Sequence, residues 1–237
     1  SEGEKRHAGV KGFFNLIEDF KEKKFDKVFI FNSSLRFYMA AKIGGIKNVN
    51  SYKLLRKKNQ HIIETAKKFI RDTLKVDVKE NPTLNLRSDS VAQEKKNYSI
   101  SNDETNIVLG TGGSGETKRV PSKIFLEVMK NTLKRGKCKF FIATGNAKEE
   151  IEILDQILKS DLKEFCIPLN NLNISKITPI IKNCDVSICN DSSFSHLSAA
   201  LNIPTIVLMA DTPLVYGSYS SLTVSYTHLT LPTSHCV

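Results

Sequence analysis

The sequence of 237 residues predicts an α/β protein built on parallel sheets, and three observations support this. Short apolar runs of strand length alternate with segments of helical periodicity, which is the pattern of βαβ units. A glycine-rich segment directly follows one of these runs, as expected where a strand leads into an anion-binding turn. The composition, 40% hydrophobic and 25% charged, is that of a globular protein with a sizeable core. We therefore expect doubly wound domains that bind ligands at the carboxyl ends of their strands.

The first part of the chain is α/β but irregular. Its helices show apolar residues at a spacing of three or four, and its strand is a short apolar run. Residues 76–105 are polar, contain Pro82 and are predicted to be a linker. We expect one domain over residues 1–98 and a second over residues 99–223. The predicted elements are a helix in GFFNLIEDFKEKKF, a strand in DKVFIFN, and helices in SSLRFYMAAKIG and HIIETAKKFIRDTL.

The alternation is most regular after residue 105, where five strands and four connecting helices are predicted. Pro121 fits the first turn of the first helix, which continues at helical spacing until Gly136. Pro179 lies inside the third predicted helix, where a proline is expected to limit its length. The predicted strands are NIVLG, CKFFIAT, EFCIP, DVSICN and PTIVLM, and the later helices are KEEIEILDQILKS, ISKITPIIKN and SFSHLSAAL.

The last stretch, residues 224–237, is expected to lie outside the natural fold. Its sequence VSYTHLTLPT carries no charge and no core periodicity, and it resembles the translation of a sequencing adapter. We therefore expect a chain that lacks the natural C-terminal end of its protein.

The charge and the cysteines narrow the class of protein. Residues 1–100 hold 22 Lys and Arg against 12 Asp and Glu, whereas residues 101–237 hold 13 of each. The first part therefore carries the net charge of +10. A basic part of this kind could bind nucleic acid, a membrane surface or an anionic acceptor. The alternative is a lysine-rich surface that is only solvated. The five cysteines lie mostly in apolar runs, which indicates reduced buried thiols and favours the cytoplasm. No apolar run approaches the ~18 residues of a membrane span.

The segment LGTGGSGETKRVPSKIF, residues 109–125, is close to several phosphate-binding loops and completes none. Gly110, Gly112 and Gly115 match the spacing GxGxxG, but five residues separate the last glycine from Pro121. A P-loop needs a lysine directly after its last glycine, whereas ETK follows here. Exposed backbone N–H groups, a Lys-Arg pair and a helix start favour a phosphate or diphosphate ligand, and the alternative is a flexible turn.

A second group of polar residues lies in CNDSSFSHLSAALNIP, residues 189–204. Asp191 and Ser192 follow a predicted strand, and either could cap the next helix. His196 lies on that helix and is expected to point towards the same strand ends, although a packed core histidine fits equally. Because parallel strands end at one edge of their sheet, this group and the glycine segment are predicted to form one ligand site.

The motifs GxGGSGxxKRxPxxxF, TGNxxE and CDVSICNDSSFSHLSAALNIPTIVL, in this order, resemble the C-terminal domain of glycosyltransferase family 9, the lipopolysaccharide heptosyltransferases. The segment FDKVFIFNSSLRFYMAAKIGGIKN is similar to part of that family's N-terminal domain. The resemblance covers most of residues 10–215. It implies a GT-B architecture of two Rossmann-like domains, the first incomplete here, and an inverting transfer of a sugar, expected to be heptose, from an ADP-sugar to a lipopolysaccharide core.

The resemblance also implies roles for single residues. Lys118 matches the lysine that contacts the donor diphosphate, Glu149 the acid that binds the ribose, and Leu172 the apolar position beside the base. Two positions depart from the family, which usually has glycine at Ser193 and commonly tryptophan at Val120, and a serine restricts the backbone more than a glycine does. The expected donor-binding residues are Thr111, Gly112, Gly113, Lys118, Glu149, Leu172, Asp191, Ser192, Ser193 and His196.

The resemblance places the catalytic base, an aspartate in a Gly-Asp loop, upstream of Ser1, so no catalytic residue is expected in this chain. No metal or cofactor is expected beyond the nucleotide-sugar donor. The expected partner is an anionic lipopolysaccharide acceptor, with a peripheral contact at the inner face of the inner membrane through the basic first part. The alternatives are another GT-B enzyme, such as an epimerase or a UDP-sugar transferase, and a non-catalytic nucleotide- or RNA-binding module. Nucleic acid is not expected, because no RNA-binding motif is evident.

Overall fold

The computed structural model describes residues 6–53, 60–209, 212–217 and 219–226. The chain divides into two compact units between Lys79 and Glu80, called here the first and second units. This division lies earlier in the chain than the predicted boundary after residue 98.

The first unit packs helices against a pair of parallel strands. Its helices and strands are α1 (Gly9–Lys23), β1 (Lys27–Ile30), α2 (Leu35–Ile43), β2 (Asn48–Ser51) and α3 (Ile62–Leu74). Strand β1 pairs in register with β2, and Ile30, Ala41 and Ile46 form the core between them and α2. Strand β2 was not predicted, because its sequence NVNS offers a single apolar residue.

The second unit contains a six-stranded, fully parallel sheet. Its elements are α4 (Ser88–Asn97), β3 (Thr105–Gly110), α5 (Ser122–Leu133), β4 (Cys138–Ala143), α6 (Lys148–Leu158), β5 (Cys166–Pro168), α7 (Ile174–Lys182), β6 (Val186–Asn190), α8 (Ser193–Ala200), β7 (Thr205–Leu208) and β8 (Thr223–Tyr226). The strand order is β5-β4-β3-β6-β7-β8, which is the order of a doubly wound dinucleotide-binding fold. The order reverses between β3 and β6, and such a reversal opens a crevice at the carboxyl ends of the two strands.

The core of the second unit lies on both faces of this sheet. Side chains alternate along a strand, so Val108 and Phe141 face one way while Ile107 and Phe140 face the other. One face packs against residues of α7 and α8, and the opposite face packs against α5 and α6. Full burial of an aromatic or aliphatic side chain contributes about 1.5–3 kcal/mol, so this core stabilises the strand that leads into the glycine segment.

Helix α4 corrects the prediction of a linker over residues 76–105. The buried Glu94 forms an ion pair with Lys176 of α7, with 3.3 Å between Oε1 and Nζ. The Asn183 amide donates to the Val91 carbonyl at 2.8 Å. These contacts join α4 to the second unit. Its sequence, SDSVAQEKKN, has two apolar residues and therefore shows no helical periodicity.

Strand β8 is a further difference from the five predicted strands. It includes residues 224–226, the first three of the segment that the sequence analysis excluded. Its backbone pairs with β7, and the Met209 N–H donates to the Tyr226 carbonyl at 2.8 Å. The remainder of that segment, with Cys236, lies outside the described residues.

The cysteines of the described ranges are free thiols, and most of them are buried. The four cysteines there are free, and Cys138, Cys184 and Cys189 are buried, as predicted. Burial raises the pKa of the Cys189 thiol to about 11, although hydrogen bonds from Ser187 and the Gly110 backbone oppose it, so this thiol stays protonated at neutral pH. No helix within these ranges is long and apolar enough to cross a membrane.

Candidate functional site

The candidate site lies where the loop after β3 meets the end of β6. This loop, residues 110–115, is called the glycine loop. A cleft of about 700 Å³ opens beside it, within the second unit. The cleft is lined by Gly112, Gly113, Ser114, Gly115, Arg119, Gly145, Ala147, Glu149, Glu150, Ser192, Ser193 and Phe194.

A carboxylate holds the glycine loop from the β4 side. The Gly113 N–H donates to Glu150 Oε1 at 2.7 Å, and the Ala147 N–H donates to Oε2 at 3.3 Å. A Cβ on Gly112 would lie 2.7 Å from Glu150 Oε1, and a Cβ on Gly145 would also collide with this carboxylate. Glycine at both positions therefore lets the two loops close over Glu150. Glu150 was not among the predicted site residues, although it directly follows the predicted Glu149.

A buried amide holds the same loop from the β6 side. Asn190 is fully buried at the end of β6, and its Nδ2 donates to the Thr111 carbonyl at 2.8 Å. Its Oδ1 accepts from the Val120 N–H at 3.4 Å. Asn190 thus ties the start of the glycine loop, and the residue before Pro121, to the end of β6. It was also missed, and the signal available was its place directly before Asp191 at a strand end.

Two predicted residues, Lys118 and Asp191, meet at the crevice. Lys118 Nζ lies 2.9 Å from Asp191 Oδ2, with the side chains 28% and 8% exposed. Thr212 Oγ1 donates to the same carboxylate oxygen at 2.5 Å. Burial acts to raise the pKa of Asp191, but the hydrogen bonds from Thr212 and Lys118, with the charges of Lys118 and His196, outweigh it and lower the pKa. Asp191 is therefore ionised at neutral pH.

Three buried hydroxyl groups lie at the ends of three neighbouring strands without a partner in the described part of the chain. They belong to Thr111 after β3, Thr144 after β4 and Ser192 after β6. An unsatisfied buried polar group costs about 1–3 kcal/mol, so this edge of the sheet has hydrogen-bonding capacity that the described protein atoms do not use. Ser192 is also the N-cap of α8, and its side chain makes no cap hydrogen bond. These features favour a polar ligand at the crevice.

The remaining predicted site residues lie on the cleft wall, on α8 or in a core cluster. Ser193 begins α8 on the cleft wall, and Glu149 lies exposed on the opposite wall. His196 is half-buried on α8, close enough for its charge to act on Asp191. Leu172 packs against a core cluster and, like Lys118, Asp191 and His196, is not among the residues that line the cleft.

The site brings cations and a helix N-terminus to the glycine loop, and the carboxylates of Glu149 and Glu150 also line the cleft. Lys118 and Arg119 follow the glycine loop, and Arg119 donates to the Gly113 carbonyl at 3.0 Å while lining the cleft. The N-terminus of α8 adds its partial positive charge on the β6 side. Among the described residues, no group of three or more His, Cys, Asp or Glu side chains is placed to hold a metal ion. The arrangement can bind a phosphate or diphosphate through backbone amides, two cations and hydroxyl groups.

A doubly wound domain with a polar crevice at its switch point is typical of nucleotide-binding domains of the Rossmann type. The sequence model of Glycosyltransferase family 9 (heptosyltransferase) matches residues 38–237, and the chain belongs to this family. The resemblance stated from the motifs is thereby confirmed.

Individual relatives agree with this assignment. The chain is 32% identical to lipooligosaccharide heptosyltransferase 2 of Haemophilus influenzae over 106 residues, which are 43% of this chain and 30% of the relative. Its fold is similar to that of E. coli ADP-heptose lps heptosyltransferase II, with a TM-score of 0.71, 18% identity and coverage of 93% of this chain and 74% of that one. The family 9 glycosyl transferase of Veillonella parvula gives a TM-score of 0.75 at 15% identity, covering 93% and 69%.

These comparisons confirm the predicted GT-B type of fold. The chain spans between 30% and 41% of the length of the curated relatives it matches.

Proposed function

We propose that this chain forms the donor-binding part of an inverting glycosyltransferase that moves heptose from ADP-heptose to a lipopolysaccharide core. The observation that carries the proposal is the Lys118–Asp191 pair beside the glycine loop, at the switch point of the sheet. Membership of glycosyltransferase family 9 supports the reaction class. The similar E. coli protein, an ADP-heptose lps heptosyltransferase, supports the choice of donor.

In the proposed reaction, the acceptor hydroxyl oxygen attacks the anomeric carbon of the sugar. The bond from that carbon to the diphosphate oxygen breaks on the opposite face, which inverts the configuration, and the hydroxyl proton passes to a general base. We assign that base to none of the described residues. Negative charge grows on the departing diphosphate, and this chain's part is to stabilise that charge.

Lys118 is the residue best placed for this task. It is partly exposed, whereas its partner Asp191 is almost buried, so the ammonium can turn one N–H towards a diphosphate while keeping its contact with the carboxylate. Arg119, the glycine loop amides and the N-terminus of α8 would add further donors. The proposal therefore needs no cofactor besides the donor.

The remaining donor contacts follow from the cleft walls. We propose that Glu149 accepts hydrogen bonds from the ribose hydroxyls and that Ser192 and Ser193 contact the phosphates, since all three line the cleft. Asp191 would act by holding Lys118, and His196 lies half-buried on α8 near that pair. The position of Leu172 beside the base stays a prediction.

The charge distribution supports the proposed acceptor. The first unit holds 19 Lys and Arg against nine Asp and Glu, whereas the second unit holds 16 of each. All of the net charge thus lies in the first unit, which we propose faces the anionic acceptor and, from the cytoplasm, the inner face of the inner membrane.

A comparison of the affinities for three ligands tests the donor assignment. We would titrate the purified chain with ADP, UDP and adenosine by calorimetry and, in parallel, with a single-stranded RNA at two salt concentrations. Binding of ADP in preference to both UDP and adenosine is expected. A preference for UDP would reassign the chain to another sugar-nucleotide enzyme. Tight, salt-dependent binding of RNA without binding of ADP would refute the donor-site proposal.

A further inference from the structure

A second cavity, of about 320 Å³, lies within the first unit and is rich in lysine. It is called here the lysine cavity. Its lining comes from the end of α1 with the turn into β1, and from the turn between α2 and β2. The lining residues are Lys21, Lys24, Phe25, Asp26, Gly44, Gly45 and Lys47.

The backbone fixes the lysines that surround this cavity. Lys24 ends α1 in the left-handed conformation, with φ 48°, and its N–H donates to the Phe20 carbonyl. Gly45, with φ 90°, turns the chain from α2 towards β2 and brings Lys47 to the cavity. The end of a helix attracts cations, which accounts for Lys21 and Lys24. Lys47 lies on no helix, so the helix dipole does not explain its presence.

The three ammonium groups are not neutralised within the described part of the chain. Lys21, Lys24 and Lys47 are exposed, and none of them forms an ion pair with a described residue. Asp26 is the one carboxylate among the lining residues, and it makes no ion pair with the lysines. Three cations against one anion around a cavity of this size attract a small anionic group such as a phosphate.

Large apolar side chains lie beside the cavity. Phe25, which lines it, is 46% exposed, and Ile43, which does not line it but directly precedes the lining residue Gly44, is 50% exposed. Exposed aromatic and aliphatic side chains next to lysines are typical of surfaces that enter the headgroup region of a bilayer. A soluble phosphate would leave these side chains in water, whereas a lipid would cover them.

We propose that the lysine cavity binds the phosphate headgroup of an anionic phospholipid, and that Phe25 and Ile43 enter the membrane interface beside it. This inference rests on the proposed function, because it gives the membrane contact of the transferase a defined site. It concerns the first unit, whereas the donor cleft lies in the second, so each can be tested separately.

Vesicle co-sedimentation of the whole chain provides the test. The vesicles would contain phosphatidylcholine alone or phosphatidylcholine with phosphatidylglycerol. Near an anionic surface each lysine contributes about five-fold in affinity, so the triple substitution Lys21→Gln, Lys24→Gln and Lys47→Gln is expected to weaken binding to anionic vesicles roughly 100-fold. Binding to neutral vesicles should be weak for both proteins.

A matched control separates a site from the general charge of the unit. Lys11, Lys68 and Lys79 are exposed lysines of the first unit that do not line the cavity. Their triple replacement by glutamine removes the same charge and is expected to weaken vesicle binding far less. Equal losses in the two triple variants would overturn the proposal, because diffuse attraction would then explain the binding.

Two further variants distinguish the lipid from a soluble anion and from a failed donor site. Ile43→Ser should weaken binding to anionic vesicles and leave any binding of inorganic phosphate unchanged. Unaltered vesicle binding by Ile43→Ser, with inorganic phosphate displacing the vesicles, would identify a soluble-anion site and refute the lipid assignment. Lys118→Ala should lose ADP affinity yet keep vesicle binding, so failure of one proposal leaves the other measurable.

Discussion

Replacement of Lys118 by alanine is the most informative perturbation of the candidate site. The substitution removes the ammonium that lies 2.9 Å from Asp191, and it leaves the glycine loop backbone in place. We expect the affinity for ADP to fall strongly and the affinity for adenosine to change little, since adenosine has no phosphate for Lys118 to contact.

The size of the loss follows from the geometry. A hydrogen bond to a charged group contributes about 1.5–3 kcal/mol. Because Lys118 is 28% exposed, solvent screening places it near the lower end, about 1.5–2 kcal/mol, which is roughly 10- to 30-fold in the dissociation constant. The uncompensated charge of Asp191 would also repel the diphosphate, so the double variant Lys118→Ala with Asp191→Asn should recover part of the loss.

Isothermal titration with ADP and adenosine measures both affinities on the same preparations. Lys123→Ala is the matched control, because this exposed lysine, the second residue of α5, forms no ion pair with Asp191. Equal losses for ADP and adenosine in Lys118→Ala would show that Lys118 supports the fold of the site rather than the diphosphate. An unchanged ADP affinity would refute the assignment of the anion site.

Three further outcomes are expected. Asn190→Ala removes the amide that donates to the Thr111 carbonyl and should lower the free energy of unfolding by about 1–3 kcal/mol in urea titrations. The same substitution should weaken ADP binding. A loss of stability with unchanged ADP affinity would contradict the role of Asn190 in the glycine loop. Gly110→Ala places a Cβ 2.9 Å from Cys189 Cβ and closer still to its sulfur, so it should lower the free energy of unfolding by about 1–3 kcal/mol in the same assay. Cys189→Ala in the same chain should reduce that loss. If Gly110→Ala leaves the free energy of unfolding unchanged, the strands separate easily. The pKa of Asp191 in the folded protein lies below its ordinary value of 3.8, so the ionised carboxylate stabilises the protein above that pH, and this contribution disappears as the pH falls through the folded pKa. The difference in Tm between the wild type and Asp191→Asn should therefore shrink below about pH 4. A difference that stays constant with pH would refute the ion-pair argument.

The regular part of the fold was predictable because each of its elements carries its own signal. Strands such as β3 and β4 are continuous apolar runs, since both faces of the sheet are covered. Helix α5 shows its buried face in Phe125 and Met129 at helical spacing. Strand β2 and helix α4 carry no such pattern, because they are held mainly by backbone pairing and by polar contacts with neighbours.

The residues of the candidate site were likewise predictable only where they carry a local sequence signal. Lys118 and Asp191 were identified because charged residues beside glycine and at a strand end stand out locally. Asn190 and Glu150 were missed because their partners are backbone groups of the glycine loop, 79 and 37 residues away. Only the strand order brings those groups together, and the linear sequence does not contain the strand order explicitly.

The central pairing of the sheet has a consequence for assembly. Strands β3 to β5 form one half of the sheet, strands β6 to β8 form the other, and each half is continuous in sequence. The two halves meet along a single seam, where Ile107 pairs with Val186. Lys118 comes from one half and Asp191 from the other, so a nucleotide held at this site would bridge the seam. Two separately produced halves, divided between α7 and β6, would each carry half of the site, and a bound nucleotide would favour their reassembly.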